Sequence, residues 1–424
     1  MTSNNGKHQL GVAEGTALFV GAVLGPGVMV LPALAAKAAG PASVVAWVVL
    51  LAFSVPVAAT FAALGARHPD GGGVATFVTR AFGPRFAVPV GWWFYFAVPV
   101  GVLAGGLVGG EYVAAALGAG RGVALGIALA ILGAAFGANY VGLHVSGRMQ
   151  LAMVAVLAVL LLVTVIAAAP DARPANFTPF APHGWPAIGS AATVLFFAFS
   201  GWEAASHLSG EFRDPRRHLP RATALTLVLV SVLYLSIASV TIGVLGDQAG
   251  STSVPLSLLL EAAFGPVGRS VTAVAAVFLS FIAVNTYIAG AARLGAALGR
   301  DGGLPRALAK SDTVPRRSLT VQLVLCVIVV VVTTVLAIDL DSLMRVTSAC
   351  LAAVSFAGMA AALRLLPGRS VLWFSAAAGL GFTAVVLAFC GFLVLVPVTL
   401  AVGALLATRS TSAIRPGSWA DGRT

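Results

Sequence analysis

From Ser370 to Thr408 the chain runs 39 residues without one charged side chain. A bilayer core about 30 Å thick is crossed by about 20 apolar residues in a helix. As one helix this run would be about 58 Å long, nearly twice the core, so it must fold back, most simply at Cys390-Gly391. Runs free of Lys and Arg also cover Ala38–Ala66, Phe86–Gly110, Gly122–Gly147, Met149–Ala169, Ala222–Gly246, Ser270–Ala292 and Ser318–Ile338, and further spans begin near Leu10, Pro186 and Val346. The total is twelve spans. Only 9% of residues are charged and 59% are apolar, against about 25% charged in soluble proteins. A soluble enzyme, a disordered chain and a coiled coil are excluded. The expected fold class is an all-α polytopic membrane protein. Ala33-Leu34-Ala35 resembles a signal-peptidase site. The stretch before it carries only Lys7, contains Glu14 and is broken by Gly25-Pro26-Gly27, so a retained span is expected.

The formal charge of +11 would suggest nucleic acid in a soluble chain. Here it reads as orientation charge. With the N-terminus in the cytoplasm, 20 of the 25 Lys and Arg residues fall on the cytoplasmic side. Lys37, Arg121, Arg173, Arg269 and Arg345 fall outside or near the outer ends. That asymmetry supports a multi-pass protein of the cell membrane with both termini cytoplasmic, and no nucleic-acid partner is needed. Cys326, Cys350 and Cys390 lie inside apolar runs at no metal-ligand spacing and read as small core residues.

Ala81-Phe82-Gly83-Pro84 precedes span 3 and Ala263-Phe264-Gly265-Pro266 precedes span 8. Five spans separate the copies, an odd number, so they face opposite sides of the membrane. That marks an inverted repeat: spans 1–5 over residues 10–169 against spans 6–10 over 186–366. A cytoplasmic N-terminus (1–9), an external loop (170–185), spans 11 and 12 (370–408) and a cytoplasmic tail (409–424) complete the division.

The first span of each half is interrupted. Span 1 reads Val23-Leu24-Gly25-Pro26-Gly27-Val28, and span 6 reads Phe197-Ala198-Phe199-Ser200-Gly201-Trp202-Glu203. Proline inside a helix removes a hydrogen bond and clashes with the preceding turn, and flanking glycines weaken the helix further. In lipid, freed backbone groups are tolerated only if buried in protein or lining a cavity. A simple kink is the bland reading; paired breaks at matching places favour a binding site at mid-membrane. The half-helix after a break presents N–H donors and a positive dipole end, and the half-helix before it presents carbonyls. A carboxylate suits the first and an ammonium the second, so backbone alone can hold an amino-acid zwitterion. Phe197, Phe199, Trp202 and small residues of span 3 would form an apolar lining, which points to a neutral, apolar amino acid.

Few ionisable residues lie within the spans. Glu203 follows the span 6 break, and His207 lies one helical turn on, on the same face. An intramembrane acid is a functional candidate, and this pair could carry a coupling proton; the bland alternative is that Glu203 caps a half-helix. Glu111 reads as interfacial. Asn285 and Thr286 in span 8 would line the cavity or bond another helix. Gly71-Gly72-Gly73 lacks the lysine and the preceding strand of a phosphate loop. No Ser/His/Asp arrangement, metal-spaced cluster or cofactor motif stands out, so a polytopic membrane enzyme or sensor is the weaker reading.

At Gly25-Pro26-Gly27, at Pro69-Asp70-Gly71-Gly72-Gly73 with Phe77 and Phe82-Gly83, and at Phe197 to Glu203, the chain resembles the amino acid–polyamine–organocation superfamily over its whole length. Pro99-Val100-Gly101, Glu203, His207-Leu208 and Glu211-Phe212 resemble its methionine and branched-chain amino acid exporters. The resemblance implies a five-plus-five inverted repeat with discontinuous helices 1 and 6, and helices 11 and 12 added. It implies that Gly25, Gly27 and Val28 hold the carboxylate. Carbonyls near Val23, Phe197 and Ser200 would hold the ammonium, with the Phe197 ring as lid; Ala198, Phe199, Gly201 and Trp202 complete the expected site. Two departures stand out. Pro26 occupies a place where many members have Ser or Thr, so one N–H is lost. Span 5 has no lysine of the kind that replaces sodium in some members, so proton coupling through Glu203 and His207, or sodium coupling, stays open. The function implied is alternating-access export of methionine, leucine, isoleucine and valine, with an uptake permease as the alternative.

Overall fold

The computed structural model describes residues 10–68, 73–142, 147–199, 201–202, 212–309 and 314–409. Among them the chain forms fifteen α-helices, with no named strand and a single isolated bridge between Leu10 and Phe212. In chain order they are α1 (Val12–Val23), α2 (Leu31–Ala39), α3 (Ser43–Arg67), α4 (Gly73–Phe82), α5 (Pro84–Ala116), α6 (Arg121–Tyr140), α7 (Gly147–Ala168), α8 (Ala187–Phe199), α9 (Pro215–Leu245), α10 (Pro255–Phe264), α11 (Pro266–Arg300), α12 (Arg316–Val335), α13 (Leu340–Leu365), α14 (Val371–Phe389) and α15 (Leu395–Arg409). Ten helical segments among the described residues are long and apolar enough to cross a bilayer, α2 and α3 counting as one segment, Leu31–Arg67. Helices α1 and α8, of 12 and 13 residues, reach only about 20 Å and cannot cross alone.

The two Ala-Phe-Gly-Pro copies build the same corner. Each closes a ten-residue helix, α4 or α10, at its Phe and opens a long one, α5 or α11, at its Pro. The glycine between has φ of 95° at Gly83 and 64° at Gly265, which disfavours any other residue. Proline then enters at the first helical position, where its missing N–H is harmless. The charge-free run from Ser370 turns at Gly391, φ 57°, between α14 and α15.

The two long helices, α5 and α11, pack along each other at the centre, with α6 and α13 against α5. Glycines let α5 and α6 approach closely, as is usual between helices in lipid. A Cβ on Gly106 would lie 3.3 Å from the Ala128 carbonyl oxygen, and one on Gly110 only 2.1 Å from that of Ala124. About three turns further along α6 from Ala128, Asn139 Nδ2 donates to Asn285 Oδ1 of α11 at 2.8 Å. The three cysteines are free and buried. The outward faces carry exposed Val and Leu, such as Val159, Leu162 and Ile166 of α7. That surface suits hydrocarbon and would be an aggregation face in water.

Charges gather at helix ends. Lys37 pairs with Asp339 at 3.5 Å, Arg121 donates to the Ile338 carbonyl at 2.7 Å, and Arg345 pairs with Asp341 while donating to Ser190 and Thr193. Burial by itself would raise the Asp339 pKa, but hydrogen bonds from Ser342 and the Lys37 ammonium hold it below its ordinary value. At another helix end Arg364 donates to the Ala81 carbonyl at 3.1 Å and lies over the Phe82 ring.

Replacing Gly110 by Val should push α5 off the Ala124 backbone and destabilise the protein by about 1–3 kcal/mol. Thermal melting in detergent would register it; an unchanged melting temperature would show that the close approach carries no packing energy.

Candidate functional site

The first long apolar run does break at its Gly-Pro-Gly. Helix α1 ends at Val23, Leu24 is non-helical (φ −78°, ψ 78°) and Gly25 is extended. Pro26–Met29 then make one 3-10 turn, and α2 starts at Leu31. Pro26 opens that turn, where it has no N–H to leave unpaired. The main-chain ladder is rerouted: Gly25 N–H donates to the Val23 carbonyl at 3.0 Å, Val28 N–H to that of Gly25 at 3.2 Å, and Val30 N–H to that of Gly27 at 3.0 Å. Two buried tyrosines complete it. Tyr234 of α9 donates to the Val23 carbonyl and Tyr112 of α5 to that of Met29, each at 2.8 Å.

A narrow cavity of about 30 Å³ lies against this interruption, room for roughly two water molecules. The interruption contributes Val23, Gly25, Pro26, Gly27 and Val28; α5 adds Gly101, Val102 and Gly105; α8 adds Phe197 and Ala198; α11 adds Ala283, Val284 and Tyr287. Phe197 narrows it: a Cβ on Gly27 would lie 2.9 Å from two carbons of the Phe197 ring, whereas one on Gly25 would meet nothing within 4 Å. No charged side chain is in the lining among the described residues. The walls therefore offer peptide groups, aliphatic surface and the two aromatic rings of Phe197 and Tyr287.

Of the residues expected from sequence, Val23, Gly25, Gly27, Val28, Phe197 and Ala198 meet at this cavity. Phe199 is turned away and packs on Trp47 and Tyr234, with ring centroids 6.1 and 5.6 Å apart. Gly201 and Trp202 form a turn; Trp202 is buried off the lining, and its Nε1 has no hydrogen-bond partner among the described residues. Asn285 bonds a neighbouring helix, the second of the two expected alternatives, and Thr286 donates to the Ile282 carbonyl at 2.8 Å. Both lie off the lining, which takes Ala283, Val284 and Tyr287 of the same helix instead. Glu111 accepts from Ser253 at 3.1 Å. Ser200, Glu203 and His207 lie outside the described residues. Tyr112 and Tyr234 carry no local sequence signal; each lies far along the chain from the carbonyl it meets.

A bundle of apolar helices long enough to cross a bilayer, with a small cavity at an interrupted helix, defines the class as a multi-pass membrane protein. The amino acid permease family model matches residues 10–414, and the chain belongs to that family, within the amino acid–polyamine–organocation superfamily. It is 33% identical over 391 residues to the uncharacterized amino acid permease YecA of Bacillus subtilis, covering 92% of each chain. It is 32% identical over 371 residues to the L-methionine/branched-chain amino acid exporter YjeH of Escherichia coli, covering 86% of this chain and 87% of that one. It is 28% identical over 323 residues to the branched-chain amino acid permease BcaP of Bacillus subtilis, covering 72% and 70%.

A methyl group at Gly27 should displace the Phe197 ring, while one at Gly25 projects into open space. Gly27→Ala is expected to weaken ligand binding by about tenfold or more, and Gly25→Ala less, since forced contact of this kind amounts to about 1–3 kcal/mol. Calorimetric titration of both variants with a panel of amino acids tests the order; equal affinities would separate the ring contact from binding.

Proposed function

We propose that the protein is a secondary transporter of neutral apolar amino acids (methionine, leucine, isoleucine and valine), working by alternating access as a proton-coupled exporter. The observation that carries the reading is the cavity at the Gly25–Val28 interruption: peptide groups and apolar walls, with no charged side chain in its described lining. Such a site suits a substrate whose charges are confined to its own α-ammonium and α-carboxylate. The carboxylate would go to the amides of Gly27 and Val28. The Val28 bond to Gly25, at 3.2 Å, is long enough for an anion to replace. The Val23 carbonyl already receives two donors, so the ammonium falls to carbonyls of Phe197 and Ser200, with the Phe197 ring moving aside as the lid.

In this reading α1 and α2 form one interrupted span and α8 the first part of another, which brings the spans to twelve. The matching corners at Gly83 and Gly265 relate residues 10–169 to 186–366 as inverted repeats, with α14 and α15 added and both termini in the cytoplasm. Glu203 and His207 carry the proton. The name of the relative YjeH supports export; that of BcaP supports the second reading, an uptake permease of the same substrates, and a sodium ion is the alternative coupling ion.

Reconstitution into liposomes with labelled leucine or methionine, imposing pH and sodium gradients separately, tests substrate class, coupling ion and direction. Flux driven by the pH gradient alone is expected, and Glu203→Gln should abolish that drive while substrate binding persists. An unchanged proton dependence in the variant would remove Glu203 from the coupling step.

A further inference from the structure

An α-helix pairs each carbonyl with the N–H four residues on, and the interruption takes those partners from several buried carbonyls, Val23 and Met29 among them. Val23 would have used Gly27 and instead accepts the Gly25 N–H at 3.0 Å. Met29 would have used Ala33, whose N–H instead donates to the Val30 carbonyl at 3.0 Å. Each of the two carbonyls also accepts a tyrosine hydroxyl from a remote helix, both side chains wholly buried. Tyr234 O–H reaches the Val23 carbonyl, and Thr226 Oγ1, two turns earlier on α9, donates to the Thr16 carbonyl of α1 at 3.3 Å. Helix α1 is thus tied to α9 at two levels. The Tyr234 ring also packs on Phe199, where α8 ends, and on Trp47 at 5.0 Å. On the far side, Tyr112 O–H donates to the Met29 carbonyl and accepts the Leu256 N–H at 3.3 Å, which ties the 3-10 turn to α5 and to the start of α10.

We infer that Tyr112 and Tyr234 are positioning residues of the cavity, the two struts that fix the ends of the interruption and so preset the direction of the Gly25–Val28 peptide groups. Neither lines the cavity, so each acts through the main chain. With the turn held in place, a substrate binds without first ordering it; without a strut, part of the binding energy goes to that ordering. This rests on the reading of the cavity as an amino-acid site.

The test compares Tyr112→Phe and Tyr234→Phe with Tyr95→Phe. Tyr95 is an equally enclosed tyrosine of α5 whose hydroxyl meets Ser318, away from the cavity. Leucine exchange is measured in proteoliposomes and melting in detergent. Each strut variant should raise KM about tenfold, the scale of a lost buried hydrogen bond, with maximal rate held within about twofold, and Tyr95→Phe should leave KM unchanged. Strut variants that lower the melting temperature but keep the wild-type KM would overturn the inference, as would Tyr95→Phe raising KM to the same extent. If a Phe variant does not fold, 3-fluorotyrosine at that position keeps the ring and hydroxyl, alters donor strength and adds one small ring substituent, whose packing effect the melting temperature reads. KM must then shift at constant melting temperature, and an unmoved KM overturns the inference. A wild-type protein that neither binds nor exchanges leucine, methionine or any other neutral amino acid would instead reject the transport reading, and the struts' role with it.

Discussion

In hydrocarbon a peptide group has no water to fall back on, so every N–H and C=O within the bilayer must find a protein partner or face a cavity. The stretch Leu24–Val30 is where this chain meets that demand without a helix. Its solution has three parts: a 3-10 turn opened by a proline, a set of short backbone bonds, and two tyrosine hydroxyls brought in from α5 and α9. What is left over, around the Cα of Gly25, is open space. The cavity is the by-product of a helix that stops and restarts within a few residues.

The rest of the bundle keeps that gap in place. Helices α5 and α11 form its back wall, and their close association depends on residues too small to hold them apart. The Asn139–Asn285 pair adds a polar contact whose worth in lipid is modest, about 0.6–2 kcal/mol, but which fixes how α11 is rotated against α6. That rotation turns Ala283, Val284 and Tyr287 toward the cavity and leaves Asn285 behind it. The Asn285 carboxamide is thereby committed to another helix and kept off the lining.

Much of this was legible in the sequence, for local reasons. Gly25-Pro26-Gly27 cannot continue a helix, and it does not. Gly83 and Gly265 fall in the repeated Ala-Phe-Gly-Pro segment and Gly391 at the expected fold-back, and each adopts a positive φ there. The cavity residues Val23, Gly25, Gly27, Val28, Phe197 and Ala198 were readable because they sit at the Gly-Pro-Gly break or near the end of α8. Three things were not. Phe199 and Trp202 looked like lining on composition alone, but successive helical residues point about 100° apart, so Phe197 and Phe199 cannot share a face. Asn285 was ambiguous because its partner lies 146 residues away. Tyr112 and Tyr234, 83 and 211 residues from their carbonyls, leave no trace in any local window. The span count differs for a geometric reason: half-helices of 12 and 13 residues do not cross a membrane by themselves and are joined into spans only by the reading of the breaks.

In the transport reading, main-chain atoms at the Gly25–Val28 interruption, with carbonyls at the end of α8, recognise the α-ammonium and α-carboxylate of an amino acid. Competition against labelled leucine in proteoliposomes tests it most directly. Leucine methyl ester removes the carboxylate charge and N-acetyl-leucine removes the ammonium, while both keep the side chain. Neither should compete measurably, whereas valine, isoleucine and methionine should. If either blocked analogue displaced leucine as well as leucine itself does, recognition would lie in the side chain alone and the account of the interrupted helix would be wrong.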